Sequence, residues 1–250
     1  MEFPLNLTIC ITVRNERDNI EPIVRDLPIV CERQEILFVE GHSTDGTVEE
    51  IDRVAAAYPQ KNVRRIGQPG IGQGDATRVG FYSAQGNCII IYEGDGTSDP
   101  DDIIPFYEAL SSGRLDFIVG NRFAMPLCRG AMPWVNRVGN FLFARFLSII
   151  LGLNLSDVLS GIKGIRKEAY LKIHENWGKL GVEDPFGDFE LLIGAARLGL
   201  KIGGIPMHYR PRTYGETKTR VVKHGLILAR ITWNTWLGLK KAGESSPQTS

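Results

Sequence analysis

Glu93 and Asp95 form an acid-x-acid pair directly after the apolar run Ile89–Tyr92, and Asp99, Asp101 and Asp102 follow close behind. Carboxylates gathered this closely repel one another and resist ionising together unless a cation or hydrogen-bond donors sit among them. Two oxygen ligands with open positions suit a hard divalent cation, Mg2+ or Mn2+, whose other positions go to diphosphate oxygens and water. Such a cation acts as a Lewis acid on the charge of a departing diphosphate. The competing role is helix capping, since Thr97, Ser98 and Asp99 precede Pro100 and a helix. Capping is assigned to Asp99, Asp101 and Asp102. The metal is assigned to Asp95, with Glu93 beside it, because Asp95 ends a strand among other polar strand ends.

The elements that position this pair alternate through the first half. "LTICITV" (7–13), "EILFVE" (35–40), "VRRIGQ" (63–68) and "CIIIYE" (88–93) read as strands. "ERDNIEPIVRDLPIV", "VEEIDRVAAAYP" and "DATRVGFYSAQ" have helical spacing between them. Continuous apolar runs separated by helices predict an α/β fold with a mostly parallel sheet covered on both faces. Ligands in such sheets sit at the carboxyl ends of strands, which puts Arg14-Asn15-Glu16, Glu40-Gly41-His42 and Glu93-Gly94-Asp95 on one rim. Further on come a helix in "DDIIPFYEALSSG", a strand in "DFIVGNRF" and a long apolar helix over 134–152. "SDVLSGIKGIRKEAYLKI" reads as turn, strand and helix, "DFELLIGAARLG" as a helix and "KIGGIPMHYRPR" as a late strand.

Bulk properties narrow the class. The chain has 250 residues, 43% hydrophobic and 23% charged, with formal net charge +0, so bulk attraction to nucleic acid is not indicated. Charge is unevenly placed: ten Lys or Arg stand between Arg197 and Lys241 against the single acid Glu216, a pattern that suits an anionic partner such as phosphate or a membrane. The four cysteines, Cys10, Cys31, Cys88 and Cys128, form no CxxC pair. Reduced thiols imply a cytosolic setting. No signal peptide precedes the first strand, and "FLFARFLSIILGLNL" is broken by Arg145 and too short to span a bilayer. "GQPGIGQGDATRVGF", with Gly74 and Asp75, opens a helix and suits a phosphate cradle; close packing at Gly80 explains its glycines equally. It follows the third strand, which argues against a dinucleotide fold.

"ITVRNE", "VEGHSTDGT", "EGDGTSDPDD", "VGNRF", "SDVLSG" and "YRPRTYGETK" occur in that order over residues 7–218. On these motifs the chain resembles the family 2 glycosyltransferases of the GT-A fold, nearest in pattern to dolichol-phosphate mannose synthase and polyprenyl-phosphate relatives. The resemblance implies one GT-A-like catalytic domain over 1–243, with a nucleotide-sugar half (1–123), an acceptor half (124–220), a membrane-interfacial helix at 221–242 and a tail at 244–250. It implies that Thr12, Arg14 and Glu16 flank the nucleotide and that Glu40 reads the base edge, while Gly41 replaces a second acid. Gly94 lies in the motif whose metal ligands are Glu93 and Asp95. Arg122 is implied near the donor and acceptor phosphates, and Asp157, Ser160 and Gly161 on the acceptor side. Arg212 and Lys218 match a basic pair over the phosphates, which an arginine fork and a lysine point charge suit on their own chemistry.

The implied reaction is metal-dependent, inverting sugar transfer from a nucleotide-diphosphate sugar. An acceptor hydroxyl needs a positioned base; a polyprenyl phosphate is already ionised. Asp188 and Glu190 in "VEDPFGDFELL" bear on that choice, since hydroxyl-directed members use an acid there and lipid-phosphate members carry a Phe-Glu pair like Phe189-Glu190. Glu183 and Asp184 are assigned to the helix N-terminus. A non-catalytic nucleotide-sugar-binding subunit is the alternative that Glu93 and Gly41 leave open. In "VVKHGLILARITWNTWLGLKK", Val222, Leu226, Ala229 and Trp233 fall near one stripe. That stripe suits a peripheral site on the cytoplasmic membrane face, and the domain core or a second copy of the chain in a homodimer are its other covers.

Overall fold

The computed structural model describes residues 3–127, 132–176, 184, 186–211, 227, 229–235 and 237. Seven strands, β1 (Leu5–Val13), β2 (Gln34–Glu40), β3 (Val63–Gly67), β4 (Gly86–Glu93), β5 (Phe117–Asn121), β6 (Lys163–Arg166) and β7 (Ile202–Pro206), form one sheet in the order β3-β2-β1-β4-β6-β5-β7. Among the described residues, the α-helices with stated bounds are α1 (Arg17–Asp26), α2 (Thr47–Ala57), α3 (Gln73–Ser83), α4 (Ile103–Ser111), α5 (Trp134–Leu151), α6 (Lys167–Glu175) and α7 (Asp188–Arg197).

Side chains alternate across each strand, so an uninterrupted apolar run feeds two cores at once. Ile36 and Phe38 of β2, and Cys88, Ile90 and Tyr92 of β4, join one cluster with residues of α1, α2 and α4. Leu37 and Val39, with Ile89 and Ile91, join the other with α3, α5, α6 and α7. Burial pushes the Cys10 and Cys88 thiols up to about 12, which leaves them inert packing groups. Cys128 lies outside the described residues.

The first four strands are mutually parallel, and β5 runs parallel to β7. β6 is the exception, antiparallel to both β4 and β5. Its reversal brings the turn that precedes it, Ser160-Gly161, to the rim where the other strands end.

Outside the cores, α5 contains no acidic residue and exposes Trp134, Val138, Leu142, Phe146 and Ile149. In the C-terminal helical stretch Ile231 is buried in the core, while Trp233 is 61% exposed; the stretch therefore meets the core on one face and leaves the expected Trp stripe outward. Val222 and Leu226 of that stripe lie outside the described residues. No helix among the described residues is long and apolar enough to cross a membrane.

One glycine decides how closely α3 meets the sheet. A Cβ on Gly80 would stand 2.4 Å from Cys10 Sγ and 2.8 Å from Val39 Cγ2. Gly80→Ala is therefore expected to lower stability by about 1–3 kcal/mol through overpacking, despite alanine's better helix propensity. Urea unfolding would show this as a lower midpoint at unchanged slope.

Candidate active site

The strand ends enclose a cleft of about 800 Å³ whose lining includes Thr12, Arg14 and Glu16 from the end of β1, Glu93, Gly94 and Asp95 from the end of β4, and Gly161 from the turn before β6. Gly41, His42, Gln68 and Phe186 also line it.

Two interlocked loops shape the β1–β2 side. Asn15 and His42 both take left-handed backbone, at φ 55 and φ 61, turning the chain sharply as each strand exits. The Asn15 N–H donates to Ser43 Oγ at 2.9 Å, and Asn15 Oδ1 accepts from the Thr44 N–H at 2.9 Å. Asp45 accepts from the Thr47 N–H at 3.0 Å and the Arg17 N–H at 3.3 Å, fixing the starts of α2 and α1. Glu40 does not line the cleft: its Oε1 accepts the Ser43 N–H at 2.5 Å and so serves the loop. The glycine-rich segment contributes Gly72 and Gln73, whereas Gly74 is buried against Gly187, and Asp75 caps the Gly70 N–H at 2.8 Å.

The acidic corner is built from pairings. Glu93 Oε2 accepts from Ser98 Oγ at 3.0 Å and Thr97 Oγ1 at 3.2 Å; Asp95 Oδ1 accepts from the Thr97 N–H at 3.0 Å and Thr97 Oγ1 at 2.8 Å. A Cβ on Gly161 would fall 2.1 Å from Glu93 Oε1, so only glycine there leaves room for this carboxylate. Burial pushes the Glu93 carboxyl above the usual range and Asp95 pushes it further, while Arg122 and the two hydroxyl groups pull it back. Asp99 caps as expected, whereas Asp102 makes no side-chain cap at α4 and serves His208 instead. Asp99 caps the Asp101 N–H and pairs with Arg210; Asp102 accepts from the His208 N–H at 2.7 Å and meets His208 Nδ1 at 2.9 Å. Together with the Ser98↔Tyr209 bridge, these contacts tie the segment after β7 to the acidic tip.

Several expected site residues turn inward. Arg122, buried, forms a two-point pair with Asp157 at 2.7 and 2.9 Å, and Asp157 also accepts the Leu159 N–H at 3.0 Å. Asp157 thus orients Arg122 instead of facing the cleft. Ser160 is fully buried, its Oγ 3.0 Å from Met207 Sδ. Glu190 holds Arg78 of α3 at 3.0 and 3.2 Å, joining α7 to α3. Asp184 receives the Phe186 and Phe189 N–H groups, the helix-start role expected of it. Asp188 pairs with Lys163 at 3.1 Å through Oδ2, while its buried Oδ1 has no partner. Burial raises the Asp188 pKa and Lys163 counters that rise. Arg212, Lys218 and Glu183 lie outside the described residues.

Gln68, Lys163 and Arg78 were not anticipated. Gln68 directly follows β3 and so belongs to the rim by the rule that put Gly41 and His42 there. Lys163 had its own signal, a charge inside an apolar run.

A divalent cation fits the Glu93–Asp95 corner. Both groups are hard oxygen donors, and the raised Glu93 pKa marks negative charge that the protein's own groups leave under-compensated. Among the described residues no cluster of three or more His, Cys, Asp or Glu converges to hold a metal; a cation here takes its remaining oxygens from elsewhere.

The model of glycosyl transferase family 2 matches residues 8–173. The chain is 30% identical over 234 residues to glycosyltransferase AglJ of Haloferax volcanii, covering 91% of this chain and 71% of that protein. It is 29% identical over 216 residues to the dolichyl-phosphate hexose transferase of the same organism, covering 85% and 86% respectively. A solved structure of glucosyl-3-phosphoglycerate synthase from Mycobacterium tuberculosis, in complex with Mn2+, uridine-diphosphate and phosphoglyceric acid, shares the fold with a TM-score of 0.67 at 15% identity, over 98% of this chain and 81% of that one.

The raised Glu93 pKa has a sign that can be measured. The folded chain holds this proton more tightly than the unfolded one, so an ionised Glu93 opposes folding at neutral pH and the cost fades as pH falls through the raised value. Glu93→Gln is expected to raise the thermal midpoint at neutral pH without added metal, and to lose that advantage near pH 4.5, the ordinary value. Differential scanning calorimetry across that range checks it.

Proposed function

The chain belongs to glycosyl transferase family 2, and on that basis we propose that it moves a sugar from a nucleotide-diphosphate sugar to a polyprenyl phosphate with inversion at the anomeric carbon. The observation that carries this reading is the half-buried Glu93 carboxylate beside Asp95 on a cleft lined by the ends of β1, β2 and β4. The names of the relatives favour the same acceptor, and the nucleotide and Mn2+ bound by the structural neighbour favour the same donor chemistry. The exposed apolar side chains of α5 and Trp233 suit contact with the membrane in which a polyprenyl phosphate resides.

In this reaction an ionised phosphate oxygen of the acceptor attacks the anomeric carbon as the bond to the nucleotide's terminal phosphate oxygen breaks on the opposite face. The attacking oxygen carries no proton, so no base is needed. Asp95 and Glu93 would hold a divalent cation, which when bound would supply Lewis-acid stabilisation of the leaving diphosphate. Thr97 and Ser98 orient the two carboxylates, and Gly161 leaves Glu93 its room. Arg122, fixed by Asp157, contributes positive potential from behind. Arg14 at the rim offers an exposed cation to the donor, and Arg212 and Lys218 follow in sequence from the segment that Arg210 ties to Asp99.

A second reading keeps the donor and replaces the acceptor by a hydroxyl, with Asp188 as base. It is favoured by the unpartnered Asp188 Oδ1 and the raised pKa of that group.

The two readings part in one assay. The chain is incubated with UDP-, GDP- and dTDP-sugars, polyprenyl phosphate and Mn2+ or Mg2+, and radiolabel is followed into solvent-extractable lipid. Label is expected in the lipid for at least one donor, and chelation is expected to abolish it. Asp95→Ala should cut the rate by about 100-fold or more, the scale of losing a preorganised charge-stabilising group. Asp188→Asn leaves Lys163 without its carboxylate and lowers stability, but at a temperature where the variant stays folded lipid transfer should remain within about threefold of wild type, against a loss of about 100-fold or more for a missing general base. Label that stays in the aqueous phase for every donor removes the lipid acceptor.

A further inference from the structure

Gln68 stands at the exit of β3, buried beneath the cleft wall, and its two polar ends have different fates. Its Nε2 donates to Gly70 O at 3.0 Å and Gly72 O at 3.3 Å. Both amide hydrogens are thereby used, and the side chain cannot be reversed without setting Oε1 against two carbonyl oxygens. Oε1 is left as an acceptor only. It faces the bare Cα of Gly41, where a Cβ would come within 2.9 Å of it. An acid at 41 and this placement of Gln68 exclude one another. Gly41 is also held in place, its N–H donating to Val13 O at 2.9 Å, and both residues line the cleft. Glu40, the neighbouring carboxylate, is committed to the Ser43 N–H.

We infer that Gln68 Oε1, presented over the Gly41 shelf, is the group that selects the donor's base, accepting a hydrogen bond from a ring lactam N–H. This deepens the proposed function and rests on its nucleotide donor. Uracil and thymine carry such an N–H at N3 and guanine carries one at N1. Cytosine N3 and adenine N1 are acceptors, and would set lone pair against lone pair. A polar group held in one orientation discriminates strongly against a partner of the wrong polarity, because the mismatch leaves a buried acceptor unpaired.

The test is calorimetric binding of UDP, dTDP, GDP, CDP and ADP with Mn2+ to the wild-type chain, to Gln68→Met and to Gly41→Ala. Wild type is expected to bind at least one of UDP, dTDP and GDP at least about tenfold more tightly than CDP and ADP. Gln68→Met, of similar volume without the acceptor, should bring that ratio close to one. Gly41→Ala, whose methyl presses on Oε1, should reduce the ratio while leaving Gln68 present. N3-methyl-UDP separates uracil recognition from guanine recognition, since it weakens binding only where the N3–H is the contact. Gln68 also braces the Gly70–Gly72 loop, so a purely structural role would weaken all five nucleotides alike. A uniform loss with the ratio unchanged overturns the inference, as does a wild type that binds all five equally. A wild-type chain that binds none of them removes the nucleotide donor itself, and with it the premise.

Discussion

A carboxylate that ends a largely buried strand has lost part of its water, and the fold has to answer for that charge. Glu93 is in this position, and much of the rim can be traced to it. Hydroxyl groups of Thr97 and Ser98 reach back to its oxygens, Gly161 withdraws any side chain from its path, and Arg122 supplies opposite charge from below. Arg122 is itself buried and would be costly alone, so Asp157 grips it at two points and takes the Leu159 N–H as well. The compensation is incomplete because burial, and after it Asp95 alongside, works against the charge, and the remaining negative potential is what a divalent cation would draw on.

The same logic governs the wall opposite. Lys163 is carried into the interior by β6 and is met by Asp188 and by the Ser160 carbonyl. Glu190, buried, and the half-exposed Arg78 form a second contact, between α7 and α3. These pairs span elements distant in sequence: Lys163–Asp188 fixes the start of α7 relative to the sheet, and Glu190–Arg78 fixes it relative to α3. Removing one partner of such a pair would leave a desolvated charge, which is more damaging than never having had either.

The sheet was legible because two-faced burial demands apolar runs without gaps, and the runs at 7–13, 35–40 and 88–93 are such stretches. The rim followed from strand direction alone. β6 was harder: four residues carry no mark of direction, and its reversal became visible only through its pairing with β4 and β5. The inward turns of Ser160, Asp157 and Glu190 were equally hidden, because a motif places a residue near a turn without saying which way its side chain faces. Glu40 was read as facing the base, yet Ser43 offered it a nearer donor. Gln68 escaped notice for a complementary reason. It has no charge, and its importance comes from a glycine on the neighbouring strand, a relation between two positions that composition along the chain does not display.

The reversed strand has one more effect. β5 leaves the sheet at the rim and β6 re-enters there, with Val119 and Lys163 directly paired and the Gly120 N–H bonded to Ile162 O at 3.1 Å. Everything between, α5 included, is an excursion whose two roots are stapled side by side. Around α5 such an excursion behaves as a cassette: length and apolar face there can be rewritten while the anchoring ladder stays in register. Change confined to that stretch would leave Arg122, Asp157 and Gly161 at the roots, backing Glu93 as before.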